Sequence, residues 1–426
     1  IKNYAKEDDP YRRERTFNRP GNYNAIDNNP RFYSYAGLSH YSSSEKKSVE
    51  DYRIKLGFQY NYYSERLDGG STLGRTSLLG LKYFIDEPDS SNTNLPLYPS
   101  NTNNKIRKQL SLKGSNKNIS FYQNTKALPL GYTIGHQSSY YIGEGSYNAD
   151  SSIYWFDQFE YQNEIFKEFV PSVAERKDSD IYKEIPFSKA YGKATLSEQN
   201  KDGYFYLNGK KGDSITFSFH VPEAAYDKNL YRGEKQENGN LKWYLDGKYR
   251  EINTYWHKGI RGFKDNHTHK HTLTVVLKED RNHVKIRPGV YYEDDVLLSS
   301  KTELKEIKGD NFYGYKGTFY KYGSKDFLFT LPYERGVSIK VDGKKCDLLQ
   351  RWNIFSGVDL TSLEDGKHTI EIRYTDTGFV VGKIFSVLAL VSLGAILFFS
   401  PRFRYVKGEN PESVFERRKK KYGQRK

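Results

Sequence analysis

A run of 22 residues near the C-terminus constrains the chain more than any other feature. It reads FVVGKIFSVLALVSLGAILFFS from Phe379 to Ser400, and its one charged residue is Lys383. An α-helix needs roughly 20 apolar residues to cross the hydrocarbon core of a bilayer. A helix that is apolar on every face, and that is followed by Pro401, suits the core of a soluble protein poorly. The run therefore predicts a transmembrane helix over 379–400.

The residues that follow this run predict how the chain is oriented. Residues 401–426 carry ten Lys or Arg and three Glu, which is half of the net charge of +14. Positive residues close to a membrane span remain on the cytoplasmic side. We expect a basic cytoplasmic tail at 401–426, with residues 1–378 on the outer side of the cell membrane. Because the chain begins at Ile1 and contains no Met, we expect it to be a fragment or a processed product.

The other half of the net charge is spread over 400 residues and forms no basic stripe. Nucleic-acid binding needs basic side chains concentrated on one surface, so we predict no nucleic-acid partner. The lipid bilayer is the partner that the apolar run predicts. Cys346 is the single cysteine, which excludes an intrachain disulfide framework.

The rest of the chain is rich in aromatic residues, with 38 Tyr and 25 Phe, a composition that favours β-structure. Segments such as DSITFSFH alternate apolar and polar residues with the period of a half-buried strand. The predicted fold class is a mixed α/β N-terminal domain, then jelly-roll-like β-sandwich domains, then one C-terminal transmembrane helix. The predicted boundaries are a linker over 1–30, an α/β domain over 31–174, a β-sandwich over 175–305 and a second β-unit over 306–378.

Some local elements can be predicted more closely. Phe156–Phe169 is expected to form a helix, and Leu78–Ile85 a strand buried on both faces. Ile119–Gln123 and Gly131–Ile134 are expected to form a pair of strands. Gly212-Asp213 and Asp246-Gly247 are typical of hairpin turns, and no sequence repeat is strong enough to indicate a solenoid.

A polar cluster beside Gly37 is the first candidate substrate-binding site. Hydroxyl groups and an imidazole can bond to phosphate or sugar, and the imidazole can carry charge near neutral pH. A capped turn that only holds the domain together would use the same residue types. The members of this cluster are Ser39, His40, Tyr41 and Ser42.

Gln162 and Asn163 are the second candidate for substrate binding, through bonds to sugar hydroxyls. They could equally satisfy buried backbone groups. His267, His269 and His271 alternate along the chain and would share one face of a strand, but supporting ligands at suitable intervals are lacking apart from an aspartate. We therefore predict no metal site and no cofactor, and no residue of the chain is identified as catalytic.

Several motifs, in order, resemble landmarks of one bacterial protein family. They are YAGLSHYSS at 35–43, SLLGLKYFI at 77–85, ALPLGY at 127–132, FDQFEYQNEIF at 156–166, VDGK at 341–344 and the segment from DGKH to Gly382 at 365–382. Together they resemble the C-terminal half of the YfhO family of multispanning membrane proteins. The departures are small, for example Tyr41 where the family has Phe.

The resemblance implies a glycosyltransferase of the membrane type called GT-C. Such an enzyme takes a sugar from a polyprenyl-phosphate carrier and transfers it to a wall glycopolymer, such as the lipoteichoic acid of Gram-positive bacteria. The resemblance also implies that the catalytic carboxylate belongs to an earlier extracytoplasmic loop, so that this chain by itself is expected to lack it. Two alternatives remain open: a non-catalytic membrane-anchored glycan-binding surface protein, and a surface hydrolase, which would need a carboxylate pair in a cleft.

Overall fold

A computed structural model of the protein describes most of the chain beyond residue 180 and shorter segments before it. The described residues are 11–15, 49, 52, 56–57, 59–61, 64–66, 72–86, 111–115, 120–135, 158–169, 174–175, 180–200, 204–233, 235–236, 241–250, 260–263, 265–294, 297–352 and 354–399. The chain divides into one unit of residues 1–308 with 313–373, and another of 309–312 with 374–426. Most of the predicted linker and all of the predicted tail lie outside the described residues.

The N-terminal region combines short helices with a small mixed sheet. Its strands pair in the order β1-β4-β6-β5, with β1 parallel to β4. The predicted strand over 78–85 is in part wrong, because Leu78 ends a helix that Thr72 caps and the strand begins at Leu81. The elements are β1 Arg12–Arg15, β2 Gln59–Asn61, β3 Ser64–Arg66, α1 Leu73–Leu78, β4 Leu81–Asp86, β5 Ser111–Ser115, β6 Ser120–Gln123, β7 Gly131–Ile134, α2 Gln158–Lys167 and β8 Ala174–Glu175.

The next region is a β-sandwich. Its strands are β9 Tyr182–Glu184, β10 Phe187–Gly192, β11 Thr195–Leu196, β12 Phe205–Gly209, β13 Ser214–His220, β14 Asn229–Arg232, β15 Lys235–Gln236, β16 Leu241–Leu245, β17 Lys248–Arg250, β18 Arg261–Phe263, β19 Lys270–Leu277, β20 Arg281–Arg287, β21 Val290–Glu293 and β22 Leu297–Leu298. One sheet has the order β10-β13-β19-β16-β17. The sheets β11-β12-β20-β15 and β18-β14-β21-β9 share a hydrophobic core with it.

Alternation of side chains explains how this sandwich is filled. Along β13, Ile215, Phe217 and Phe219 are buried, while the residues between them face outward. Trp243 on β16 is fully buried at the same core. Burial of each such side chain contributes about 2 kcal/mol to the stability of the fold. The alternation of apolar and polar residues therefore fixes which face of each strand points toward the core.

The last region is a second sandwich. Its elements are β23 Glu303–Gly309, β24 Phe312–Lys321, β25 Asp326–Pro332, β26 Val337–Val341, β27 Lys344–Cys346, β28 Leu349–Arg351, β29 Phe355–Asp359 and β30 Gly366–Tyr374, followed by helix α3 Thr377–Phe399. Its two sheets have the orders β23-β24-β30-β26-β27 and β28-β29-β25-β7. Strand β7 thus comes from the N-terminal region.

The pairing of β7 corrects the prediction that it pairs with the strand at 119–123. Gly131 to Ile134 pair instead with Phe329 to Asp326 of β25. All four residues of β7 are buried, because the strand lies between two cores. Tyr132 and Ile134 join the N-terminal core, and Leu130 just before the strand joins the core of the second sandwich.

Helix α2 joins the N-terminal region to both sandwiches. Its aromatic and aliphatic side chains share one core with Tyr231 and Tyr291 of the first sandwich and Phe355 of the second. At its C-terminal end, the indole Nε1 of Trp352 donates to the Glu168 carboxylate at 2.7 Å. The boundaries at 174 and 305 remain a prediction, since this core crosses both.

Helix α3 has the length and composition that the apolar run predicts. Its segment Gly378–Phe398 is long and apolar enough to cross a bilayer, and none of the described residues buries it. Within its own unit, the Lys383 ammonium donates to the Asn311 side chain at 2.8 Å. The predicted fold class is confirmed: in the residues that the structure describes, antiparallel sheets dominate, helices are few, and one apolar helix follows them.

Candidate functional site

Of the predicted site residues, only two lie in the part of the chain that the structure describes. Ser39, His40, Tyr41 and Ser42 are outside it. Gln162 and Asn163 lie next to each other on α2, and both side chains are buried.

Gln162 links α2 to the segment before α1. Its Nε2 donates to the Leu56 carbonyl at 3.2 Å, and its Oε1 accepts from the Thr72 hydroxyl at 3.3 Å. The buried guanidinium of Arg75 donates to the same Leu56 carbonyl at 2.9 Å. Both ends of the Gln162 amide are therefore engaged with protein groups.

Asn163 attaches α2 to strand β9. Its Nδ2 donates to the Tyr182 carbonyl at 3.0 Å, while its Oδ1 accepts from the Tyr182 backbone N–H at 2.9 Å. The amide of Asn163 thus substitutes for a neighbouring strand at this edge position. Buried backbone groups need such partners, because leaving one unsatisfied costs about 1–3 kcal/mol.

Next to these amides, the buried carboxylate of Glu293 accepts from five donors. Oε1 accepts from the Gly74 N–H at 2.6 Å and the Tyr182 hydroxyl at 3.1 Å. Oε2 accepts from the Tyr231 hydroxyl at 2.8 Å and, less directly, from the Leu73 N–H at 3.3 Å. The remaining donor is the Asn229 amide, at 3.0 Å from Oε2. The carboxylate is thereby placed at the first N–H groups of α1, which have no partner inside the helix.

The phenols around Glu293 donate to its carboxylate and remain neutral. Burial raises the pKa of Tyr182 and of Tyr231 well above the usual range, and the negative charge of Glu293 raises the pKa of both further. Neutral hydroxyls therefore face the carboxylate at any physiological pH. The contacts described for this network run between α1, α2 and the first sandwich, and a substrate-binding role for Gln162 and Asn163 remains a prediction.

A second kind of polar site lies at the turn between β16 and β17. Asp246 has a positive φ of 51° in this turn. Its Oδ1 accepts from the Thr272 N–H at 2.9 Å, and its Oδ2 lies 2.7 Å from Nδ1 of His271. Nε2 of the same imidazole lies 3.1 Å from the Asp265 carboxylate.

The second sandwich repeats this arrangement at the turn between β26 and β27. Asp342 has a φ of 49°, its Oδ1 accepts from the Thr369 N–H at 2.8 Å, and its Oδ2 lies 2.8 Å from Nδ1 of His368. In each sandwich a phenylalanine ring stacks on the histidine: Phe219 on His271 at 5.3 Å and Phe319 on His368 at 5.5 Å between ring centroids.

These carboxylates change the protonation of the two histidines. Burial acts to lower the pKa of His271, but its hydrogen bonds to the carboxylates of Asp246 and Asp265 outweigh burial and raise the pKa above its ordinary value. For His368, burial again acts to lower the pKa, and the bonds to Asp342 and to the Glu364 carbonyl raise it overall. Among the residues that the structure describes, no group of three or more His, Cys, Asp or Glu could hold a metal ion.

Comparison with protein families decides what kind of protein carries these sites. The model of the family described as bacterial membrane protein YfhO matches residues 1–386. The chain belongs to the YfhO family. Membership confirms the resemblance, and together with α3 it supports a location at the membrane. A search of curated proteins finds no match for this YfhO chain.

Solved structures resemble the YfhO chain only weakly. An anti-sigma factor domain-containing protein from Clostridium clariflavum is 11% identical, with 44% of this chain and 82% of that one covered and a TM-score of 0.15. The pilus backbone RrgB from Streptococcus pneumoniae is 12% identical, with 45% and 86% covered and a TM-score of 0.10. Scores this low carry no argument about the YfhO chain.

The sequence carries a signal for the paired Asp–His sites in two short repeated motifs. Asp-Gly-Lys occurs at 246–248 and at 342–344, and Lys-His-Thr at 270–272 and at 367–369. The spacing from the aspartate to the histidine is 25 residues in the first pair and 26 in the second. In this YfhO chain the repeat marks equivalent turns in two sandwiches.

Proposed function

We propose that this chain is the extracytoplasmic portion of a membrane glycosyltransferase. The enzyme transfers a sugar from a polyprenyl-phosphate carrier to a cell-wall glycopolymer such as lipoteichoic acid. The observation that supports this is membership of the YfhO family over residues 1–386, because proteins of the GT-C kind are what that family resembles. The polymer, the sugar carrier and the Gram-positive cell wall are parts of the proposal.

The orientation belongs to the same proposal. Helix α3 crosses the bilayer, the basic residues of 401–426 remain in the cytoplasm, and the two sandwiches lie outside. This arrangement places the sandwiches on the side of the membrane where wall polymers are built. Lys383 lies near the outer end of the span, where its long side chain can reach the headgroups.

Within this proposal, no residue of the chain supplies the catalytic carboxylate. A carboxylate elsewhere deprotonates the acceptor hydroxyl while the lipid-linked phosphate departs. The chain contributes recognition of the acceptor, and Ser39, His40, Tyr41, Ser42, Gln162 and Asn163 remain the proposed contacts for the sugar or its phosphate.

A second candidate is a membrane-anchored glycan-binding protein without catalysis. The observation that favours it is the pair of exposed tyrosines on the first sandwich, Tyr191 and Tyr249. Aromatic rings on a sheet face are suited to stacking on sugar rings. This reading shares the ligand of the first but predicts no transfer of sugar.

Deletion of the full-length gene in its own host distinguishes the two. The first proposal predicts that the sugar content per phosphate of the purified wall polymer falls and is restored by a plasmid copy of the gene. Unchanged sugar content, with the polymer itself still made, would refute the transferase and leave the binding protein.

A further inference from the structure

The two sandwiches share one strand plan. In the first, the five-stranded sheet has the order β10-β13-β19-β16-β17, and in the second it has the order β23-β24-β30-β26-β27. In both sheets the last two strands form the hairpin whose turn begins with Asp246 or Asp342, and the middle strand carries the histidine bonded to that aspartate. The sheets can therefore be compared position by position.

On the outer face of the first sheet, one cross-strand row contains hydroxyl and aromatic side chains. The register pairs Tyr191 with Thr216, Thr216 with Thr274, Thr274 with Tyr244, and Tyr244 with Tyr249. Neighbouring strands lie about 4.8 Å apart, so the row extends ~19 Å across the sheet. This length accommodates several linked sugar rings.

The side chains of this row face solvent. Tyr191 is 47% exposed and Tyr249 is 49% exposed, one at each edge of the sheet. Between them the hydroxyls of Thr216 and Thr274 are partly buried and lie 2.9 Å apart. Tyr244 and Tyr249 have ring centroids 5.5 Å apart. Rings at the edges with hydroxyls between them suit an extended ligand that has both apolar faces and polar edges.

The charge of this sheet indicates what kind of ligand it fits. None of its five strands contains Asp or Glu. Three lysines lie on the same outer face as the row, an even number of residues away along their strands: Lys189, Lys242 and Lys270. The ammonium of Lys189 lies 5.6 Å from the ring centroid of Tyr191. Cations placed beside exposed aromatic rings are complementary to a polymer that carries both sugar rings and phosphate groups.

The second sheet provides an internal comparison, because it lacks this row. The two sheets can be aligned on the Phe, His and Asp residues that they share. In this alignment the positions of Thr216, Thr274, Tyr244 and Tyr249 are occupied in the second sheet by Lys316, Glu371, Lys340 and Lys345, respectively. Lys316 and Glu371 form an ion pair at 3.8 Å, and Lys340 is paired across the hairpin with Lys345. The same strand plan thus carries a solvated charged row in one sandwich and an aromatic row in the other.

We propose that the outer face of the first sheet binds a phosphate-bearing sugar polymer. Sugar rings stack on Tyr191, Tyr244 and Tyr249, the hydroxyls of Thr216 and Thr274 bond to sugar hydroxyls, and the lysines hold the phosphates. This proposal deepens the proposed function, because the row is the surface that holds the acceptor. It rests on the proposed function for the identity of the polymer.

The test is equilibrium binding of the full 426-residue chain in detergent to deacylated lipoteichoic acid. Parallel titrations use dextran, which has sugars without charge, and polyglycerol phosphate, which has charge without sugars. Binding should be strongest for the lipoteichoic acid and should weaken with added salt. Tyr191→Ala and Tyr249→Ala should each weaken it about tenfold.

The decisive variant carries Thr216→Lys with Thr274→Glu, which installs the row of the second sheet. It should fold, because the sister sheet tolerates those residues, and it should lose binding to the polymer. Tyr333→Ala, at a tyrosine 39% exposed outside the row, is the matched control and should bind as the wild type does.

Wild-type affinity in the Thr216→Lys, Thr274→Glu variant would overturn the proposed surface, as would equal binding of all three polymers. The result can be separated from the test of the proposed function. If deletion abolishes sugar transfer but the row variants bind normally, the surface is refuted and the transferase stands. If the row variants lose binding while deletion leaves polymer sugars unchanged, the surface stands without the transferase.

Discussion

Nδ1 of His271 lies 2.7 Å from Oδ2 of Asp246, so that a turn and a strand 25 residues apart are joined by one imidazole–carboxylate bond. The same bond recurs between His368 and Asp342 in the second sandwich. Such a bond is strongest when the imidazole is protonated, because the donor is then charged. Each sandwich therefore contains an imidazole–carboxylate contact at this turn whose strength depends on pH.

The first prediction is a fall in stability as the pH rises above neutrality. The pKa of both histidines is raised in the folded chain, so their contribution is complete below the unfolded pKa of about 6.5 and is lost as the pH rises through the folded pKa. The midpoint of thermal unfolding should decrease across that window. In a variant with His271→Gln and His368→Gln the decrease should be smaller, and an identical slope would refute the assignment.

The second prediction concerns Glu293, whose carboxylate accepts from two backbone N–H groups of α1 and three side chains. Glu293→Ala leaves those buried donors without their acceptor and should lower the free energy of unfolding by about 3 kcal/mol. Chemical denaturation followed by tryptophan fluorescence measures this. Glu223→Ala, at an exposed glutamate of the same sandwich, is the control and should change stability by less than about 0.5 kcal/mol.

The third prediction separates two roles for Asn163. Asn163→Ala removes both bonds to the Tyr182 backbone and should destabilise the chain by about 2 kcal/mol. The same denaturation experiment gives the value. Should the variant keep wild-type stability and lose polymer glycosylation in cells, Asn163 would instead be a substrate contact.

The fourth prediction uses Cys346, the single cysteine of the 426 residues, to test orientation. It is partly exposed on β27. A membrane-impermeant maleimide should label Cys346 in intact cells. A cysteine introduced by Gly423→Cys in a Cys346→Ser background should be labelled only after the cells are permeabilised. The reverse pattern would place the sandwiches in the cytoplasm.

Much of the β-structure could be predicted from the sequence, because alternation reports directly on which residues face a core. The alternating segment DSITFSFH, which spans residues 213–220, forms strand β13 Ser214–His220. The turn at Asp246-Gly247 is also confirmed, since positive φ at both residues is what such a hairpin requires.

Pairing across long separations could not be predicted. Gly212-Asp213 was expected to close a hairpin, but β12 and β13 belong to different sheets, so this turn carries the chain from one sheet to another. In the same way, nothing local in Gly131–Ile134 reveals its partner almost 200 residues later. Gln162 and Asn163 carry the same ambiguity, since a polar residue on a helix is compatible with both a ligand and a buried backbone partner.

Transfer of sugar in isolated membranes tests the central claim most directly. Membranes containing the overexpressed full-length protein are incubated with a radiolabelled polyprenyl-phosphate sugar and deacylated lipoteichoic acid, and the label in the polymer is counted. We predict that label moves from the lipid to the polymer only when the protein is present. Label that stays in the lipid fraction, at the level of membranes lacking the protein, would contradict the account.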